Sequence, residues 1–155
     1  MPATAAPLKL SGEQLLEWLT TYTFPVESQF ADADYAAEIA QFFVNQLLSH
    51  GTTTALVFCT VHPQSVDALF EAAEQHQMRL IAGKVLMDRN APDGLRDDVV
   101  QAEADCVDLI DRWHGRDRQA FAVTVRFAPT STPEQLQMAG RLCQTYAGTY
   151  MQTHV

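Results

Sequence analysis

Ala120-Phe-Ala-Val-Thr-Val-Arg-Phe127 is the stretch on which the fold turns. It is short, apolar and rich in β-branched and aromatic residues, so it reads as a strand. Before it, Val99, Ala102, Cys106, Leu109, Ile110 and Trp113 recur at helical spacing, and Gly115 stops that helix. After it, Thr132 caps a further helix, with Pro133 in the first turn and Gln135 three residues past the cap.

The same alternation continues in both directions. Upstream, Arg79-Leu-Ile-Ala-Gly-Lys-Val-Leu86 is a strand, and the polar loop Asp88-Arg-Asn-Ala-Pro-Asp-Gly94 follows it. Pro63 opens the helix before that strand, with Val66, Leu69, Phe70 and Ala73 on one face. Thr53-Thr-Ala-Leu-Val-Phe-Cys59 is a further buried strand. It is preceded by a helix that starts near Asp32, carries Tyr35, Ile39, Phe42, Phe43 and Leu47, and stops at Gly51. Downstream, Gly148 precedes a last strand, Thr149-Tyr-Met-Gln-Thr-His154. Near the start, Ser11 and Gln14 suit a capping box for a helix through Leu15, Leu16, Trp18 and Leu19 that Phe24-Pro25 ends. Residues 1–11 read as a disordered arm and residues 12–155 as one domain.

Strand, helix, strand connections of this length favour a parallel sheet with right-handed crossovers. Two α/β architectures fit, a doubly wound sheet and an arc of a (β/α)8 barrel. A whole barrel takes about 250 residues, so 155 residues supply about half of one.

Composition narrows the function classes. Apolar residues make up 47% and charged residues 19%, as in a globular domain. The net charge of −9 repels phosphate backbones, so nucleic acid is not expected as a partner. No apolar run approaches the roughly 20 residues of a membrane span, and Met1 to Leu10 has no basic start or apolar stretch of a secretory signal. Cys59, Cys106 and Cys143 form neither a disulfide framework nor a CxxC pair and read as buried thiols, which fits a cytoplasmic, reducing compartment.

In either architecture, ligands sit beyond the carboxyl ends of the strands. Those ends are Cys59-Thr60, Met87-Asp88-Arg89, Arg126-Phe127 and His154. His50, His76 and His114 stand at helix C-termini, where an imidazole meets the negative end of the helix dipole. His62 reads as a loop residue before Pro63, whereas His154 ends a strand and is either a core residue or a metal ligand. Arg126 is unusual in so apolar a run. It either pairs with a carboxylate in the core or presents its fork of donors to a ligand. Phe127 beside it either packs in the core or stacks on a planar ring. Asp88, Arg89 and Asn90 suit a self-contained loop network. There is no glycine-rich phosphate loop and no GxSxG elbow.

Several strings then carry a resemblance. Gly12-Glu-Gln-Leu-Leu-Glu-Trp-Leu19, Tyr22-Thr-Phe-Pro25 and Glu27 resemble the segment after the first strand in guanine deaminases of the amidohydrolase superfamily. Gly51-Thr-Thr-Thr-Ala55 and Val61-His-Pro-Gln-Ser-Val-Asp-Ala-Leu-Phe-Glu71 resemble the second strand and helix. Arg79-Leu-Ile-Ala-Gly-Lys-Val85 with Met87-Asp-Arg-Asn-Ala-Pro-Asp93 resembles the third strand and loop. Arg126-Phe-Ala-Pro-Thr-Ser131 and Thr153-His154 resemble the ends of the fourth and fifth.

The resemblance implies a partial TIM-type barrel of about four parallel strands with flanking helices. It implies hydrolysis of guanine to xanthine and ammonia at a single zinc, whose bound water attacks the amino-bearing ring carbon. It assigns His154 to the metal and Arg126 and Phe127 to guanine. The family's histidine pair on the first strand, the glutamate three residues beyond the fifth-strand histidine, and the later histidine and aspartate have no counterpart here. The expectation is therefore a fragment that is inactive alone and assigns no catalytic residue to itself, prone to pair or self-associate through its open strand edges. The competing expectation is a non-catalytic purine-binding or half-barrel interaction module.

Overall fold

The computed structural model describes residues 15–155. The arm, the Ser11/Gln14 capping box and the Gly12-Glu-Gln part of the resemblance lie outside the described residues.

Among the described residues there are five strand segments, β1 Thr54–Phe58, β2 Arg79–Gly83, β3 Val85–Leu86, β4 Gln119–Val125 and β5 Tyr150–Gln152, with helices between all but β2 and β3. The helices are α1 Leu15–Trp18, α2 Phe24–Glu27, α3 Ala33–Ser49, α4 Pro63–Gln75, α5 Val99–Trp113 and α6 Pro133–Thr145. Every strand pairing is parallel. Leu80 lies opposite Gln119 in the β2–β4 pairing and Val85 opposite Thr124 in the β3–β4 pairing, the same offset. β2 and β3 are therefore one strand interrupted at Lys84. The spatial order is β1, β2 with β3, β4, β5, which follows the chain without reversing. A doubly wound sheet reverses partway. The fold is an arc of a TIM-type barrel, close to the strand positions expected from the sequence.

Lys84 breaks the strand because it turns into a buried ion pair. Its Nζ lies 2.5 Å from Asp97 Oδ1, and Asp97 Oδ2 accepts the Met87 N–H at 2.9 Å. Beside it, Gly83 allows β4 to approach closely, since a Cβ on Gly83 would stand 1.8 Å from the Ala122 carbonyl oxygen.

Burial separates the two faces of the arc. Leu80, Ala82, Leu86, Phe121, Val123 and Val125 pack into the helical layer with Val66, Phe70, Leu109 and Met138. Val85, Met87, Val61 and Leu95 form a second cluster with Leu19 and Phe24, joined by Phe58 and Phe127. That second cluster is the floor on which the site is built.

One helix end differs from the sequence reading. Phe24-Pro25 does not end the first helical stretch: α1 passes through a π-helical turn, Leu19–Thr23, and Pro25 falls in the first turn of α2. A proline lacks the N–H that an interior position needs, but the first turn of a helix has no use for one. The π turn shifts the register so that Pro25 lands there. Among the described residues, no helix is long and apolar enough to cross a membrane.

Candidate functional site

The carboxyl ends of β4 and β5 bring the expected residues together. Thr124 lies opposite Gln152 in the β4–β5 pairing, and the register carries on past both strands. Arg126 therefore faces His154, whose backbone N–H donates to the Arg126 carbonyl at 2.9 Å. The His154 ring stacks on Phe58, with centroids 4.2 Å apart and planes 10° from parallel. Phe127 is half-buried against the cluster that holds Phe24 and Phe58. All three residues thus border one end of the arc.

Arg126 is buried, and the structure supplies the carboxylate its burial requires. Nη1 donates to both oxygens of Glu27, at 2.9 and 2.7 Å, and the guanidinium carbon stands 5.3 Å from the centre of the Phe24 ring. Glu27 is buried as well. A buried guanidinium without a partner would carry a large desolvation cost, so this pair fixes where α2 sits relative to β4. Sequence reasoning left that carboxylate unnamed. Glu27 stood in a string of the resemblance without a role, and nothing local ties it to a residue 99 positions away.

Beneath this rim, Gln152 reaches across the arc. Its Nε2 donates to the Val57 carbonyl at 3.0 Å and to Thr124 Oγ1 at 2.8 Å, while the Thr124 hydroxyl donates onward to the Ala122 carbonyl. Gly83, with no side chain, leaves room for Thr124 close by.

The loop after β3 grips the loop after β4. Asp88 accepts from the Thr132 N–H at 2.8 Å and from the Thr132 hydroxyl. Arg89 Nη2 donates to the Ala128 carbonyl at 2.9 Å, and Asn90 Nδ2 to the Pro129 carbonyl at 2.6 Å. These three residues do not form the self-contained loop network expected of them: each bonds across to the segment that follows Arg126 and Phe127. Thr132 caps α6 by accepting the Gln135 N–H at 3.3 Å. The reciprocal half of the capping box is not made, because Asp88 already holds the Thr132 N–H.

The other histidines stand at helix ends. His50, His76 and His114 stand at the C-caps of α3, α4 and α5. His114 Nδ1 accepts the Phe121 N–H at 3.2 Å, which leaves Nε2 to donate to the Ala147 carbonyl at 3.2 Å. His62 is the N-cap of α4, its Nδ1 3.1 Å from Thr60 Oγ1. Burial pushes its pKa below the ordinary value. Burial also pushes the Cys59 and Cys106 thiols up to about 12, and Cys143 upward. All three are free thiols held from the reactive thiolate form.

A metal does not fit the described residues by themselves. Among them, no group of three or more His, Cys, Asp or Glu side chains is placed to hold one. His154 is a single candidate ligand, and zinc takes three or four.

Residues 6–155 match the model of the amidohydrolase family. The chain belongs to the amidohydrolase family. Among its relatives, this amidohydrolase chain is 58% identical to the guanine deaminase of Escherichia coli (strain K12) over 93% of its length and 33% of the relative's. Its fold superposes on a solved structure of E. coli guanine deaminase with a TM-score of 0.94 at 55% identity, covering 99% of this chain and 35% of that one. It also matches a structure of guanine deaminase from C. acetobutylicum with bound guanine in the active site. There the TM-score is 0.88 at 30% identity, over 93% of this chain and 34% of the other. The chain thus spans about a third of the length of the curated relatives it matches.

Proposed function

We propose that these residues form part of the active site of a zinc-dependent guanine deaminase, which takes guanine and water to xanthine and ammonia. The observation that carries this reading is the pairing of Arg126 with His154 at adjacent strand ends, over an aromatic floor of Phe24, Phe58 and Phe127. A purine is planar and presents hydrogen-bond acceptors along one edge. A guanidinium beside aromatic rings meets both properties. In this reading Arg126 donates to the acceptor edge of guanine, Phe127 lines the ring, and the His154 imidazole is one ligand of the metal. Among the described residues no other side chains join His154 to hold a metal. The role assigned to residues 15–155 is therefore to bind and orient the base. The free thiols fit a cytoplasmic protein.

The test compares the 155-residue chain with the same chain extended at both ends by its flanking coding sequence. The extended protein is expected to hold stoichiometric zinc and to release xanthine from guanine, and the 155-residue chain to do neither. Guanine turnover by the unextended chain would contradict the assignment, and so would a metal-loaded extended protein that leaves guanine unchanged. The competing reading is a non-catalytic purine-binding or half-barrel interaction module, and it is favoured by one observation: among the described residues no group of side chains is placed to hold a metal. Guanine binding without turnover in the extended, metal-loaded protein would support that reading.

A further inference from the structure

We infer that Glu27 is a positioning residue for Arg126, one that sets which edge of the guanidinium faces the purine. This rests on the proposed function. Arg126 has five N–H donors on a rigid plane, so fixing one corner fixes the rest. The structure fixes one corner. Both carboxylate oxygens of Glu27 converge on Nη1, and among the described residues no other group takes a hydrogen bond from this side chain. The Phe24 ring, 5.3 Å from the guanidinium carbon, restrains the plane. Nε and Nη2, the side of the fork away from Glu27, are left as the donors for a ligand's acceptor edge.

A pair whose purpose was only to bury charge would be better served by engaging the fork in parallel, two nitrogens to two oxygens. The surface pair of Arg116 with Glu74 does this, with Nε and Nη2 each donating to one oxygen at 2.7 and 2.8 Å. Arg126 and Glu27 take instead the geometry that spends a single nitrogen. Phe24 and Glu27 both lie in α2, directly after the π turn, so the segment from Leu19 to Glu27 acts as a bracket for one side chain of β4.

The roles separate kinetically. Loss of a structural pair lowers the fraction of folded protein, and so the apparent kcat, with KM unchanged. Loss of a positioning contact leaves folded protein that binds guanine with a misdirected donor edge. In the extended protein, Glu27→Gln is expected to raise KM for guanine about tenfold with a smaller change in kcat, and Glu27→Asp to raise it less, about threefold. Folding of each variant is followed by circular dichroism. If Glu27→Gln is poorly folded, Glu27→Asp carries the test, since a shorter carboxylate must draw Arg126 back and still raise KM measurably. Turnover by the unsubstituted protein with KM unchanged in every folded variant would overturn the positioning role and leave the function standing. No guanine turnover by the unsubstituted, metal-loaded protein would overturn the function, and this role with it.

Discussion

Charged residues inside apolar strands mark the places where this chain departs from plain packing. Arg126 and Lys84 are both such residues, and both are buried and paired. Lys84 shows the energetic consequence more cleanly, because neither it nor Asp97 is a candidate site residue. Burial pushes the Asp97 carboxyl above its ordinary range, while the Lys84 charge and the Met87 N–H pull it back down. Removing one partner strands the other in a dry environment. Lys84→Met is expected to cost about 3–5 kcal/mol in urea unfolding, and the double variant Lys84→Met/Asp97→Leu markedly less than the two single variants combined. Additive losses would show that the two groups do not depend on each other. That Arg126 needed a partner was legible in the sequence. Which partner was not, because the answer depends on bringing α2 against the end of β4, and no local pattern encodes a contact across 99 positions.

The strands and helices were legible because hydrophobic period and end signals agree. α3 starts at Asp32 as expected, and Asp32 caps it by accepting the N–H groups of Asp34 and Tyr35 at 2.9 and 3.1 Å. Thr132 caps α6. Legibility fails where an element bends around another. The π turn before Pro25 and the interruption at Lys84 both respond to tertiary contacts, and neither leaves a local signature. The grip of Asp88 on Thr132 is a third case, and it couples elements: the loop after β3 holds both the start of α6 and the segment that follows Phe127. Asp88→Ala removes two acceptors from Thr132 and frees its N–H. It is expected to destabilise the fold by about 1–2 kcal/mol, the range of a lost helix cap. Hydrogen exchange should rise in the first turn of α6 and in residues 128–132. Unchanged exchange there would mean that Arg89 and Asn90 hold the loop without it.

As a whole the described chain is an open arc. Among the described residues β1 pairs only with β2, and β5 only with β4, so each outer strand has an unpaired edge. Leu56 on β1 is 58% exposed and Met151 on β5 is 53% exposed, large apolar side chains on the two strands least covered. Unpaired edges with exposed apolar side chains recruit other strands. The 155-residue chain is expected to self-associate, with a sedimentation-derived mass that rises with concentration. A monomer at every concentration would contradict this. The claim on which the rest depends is that this arc carries purine contacts and one metal-ligand imidazole of a guanine deaminase. A graft tests it most directly. The aligned third of E. coli guanine deaminase is replaced by residues 12–155 of this chain, and xanthine release from guanine is measured with and without His154→Ala. The graft is expected to turn over guanine, and His154→Ala to lower the rate about 10²-fold or more. A folded, zinc-loaded graft without activity, or one whose activity survives His154→Ala, would contradict it.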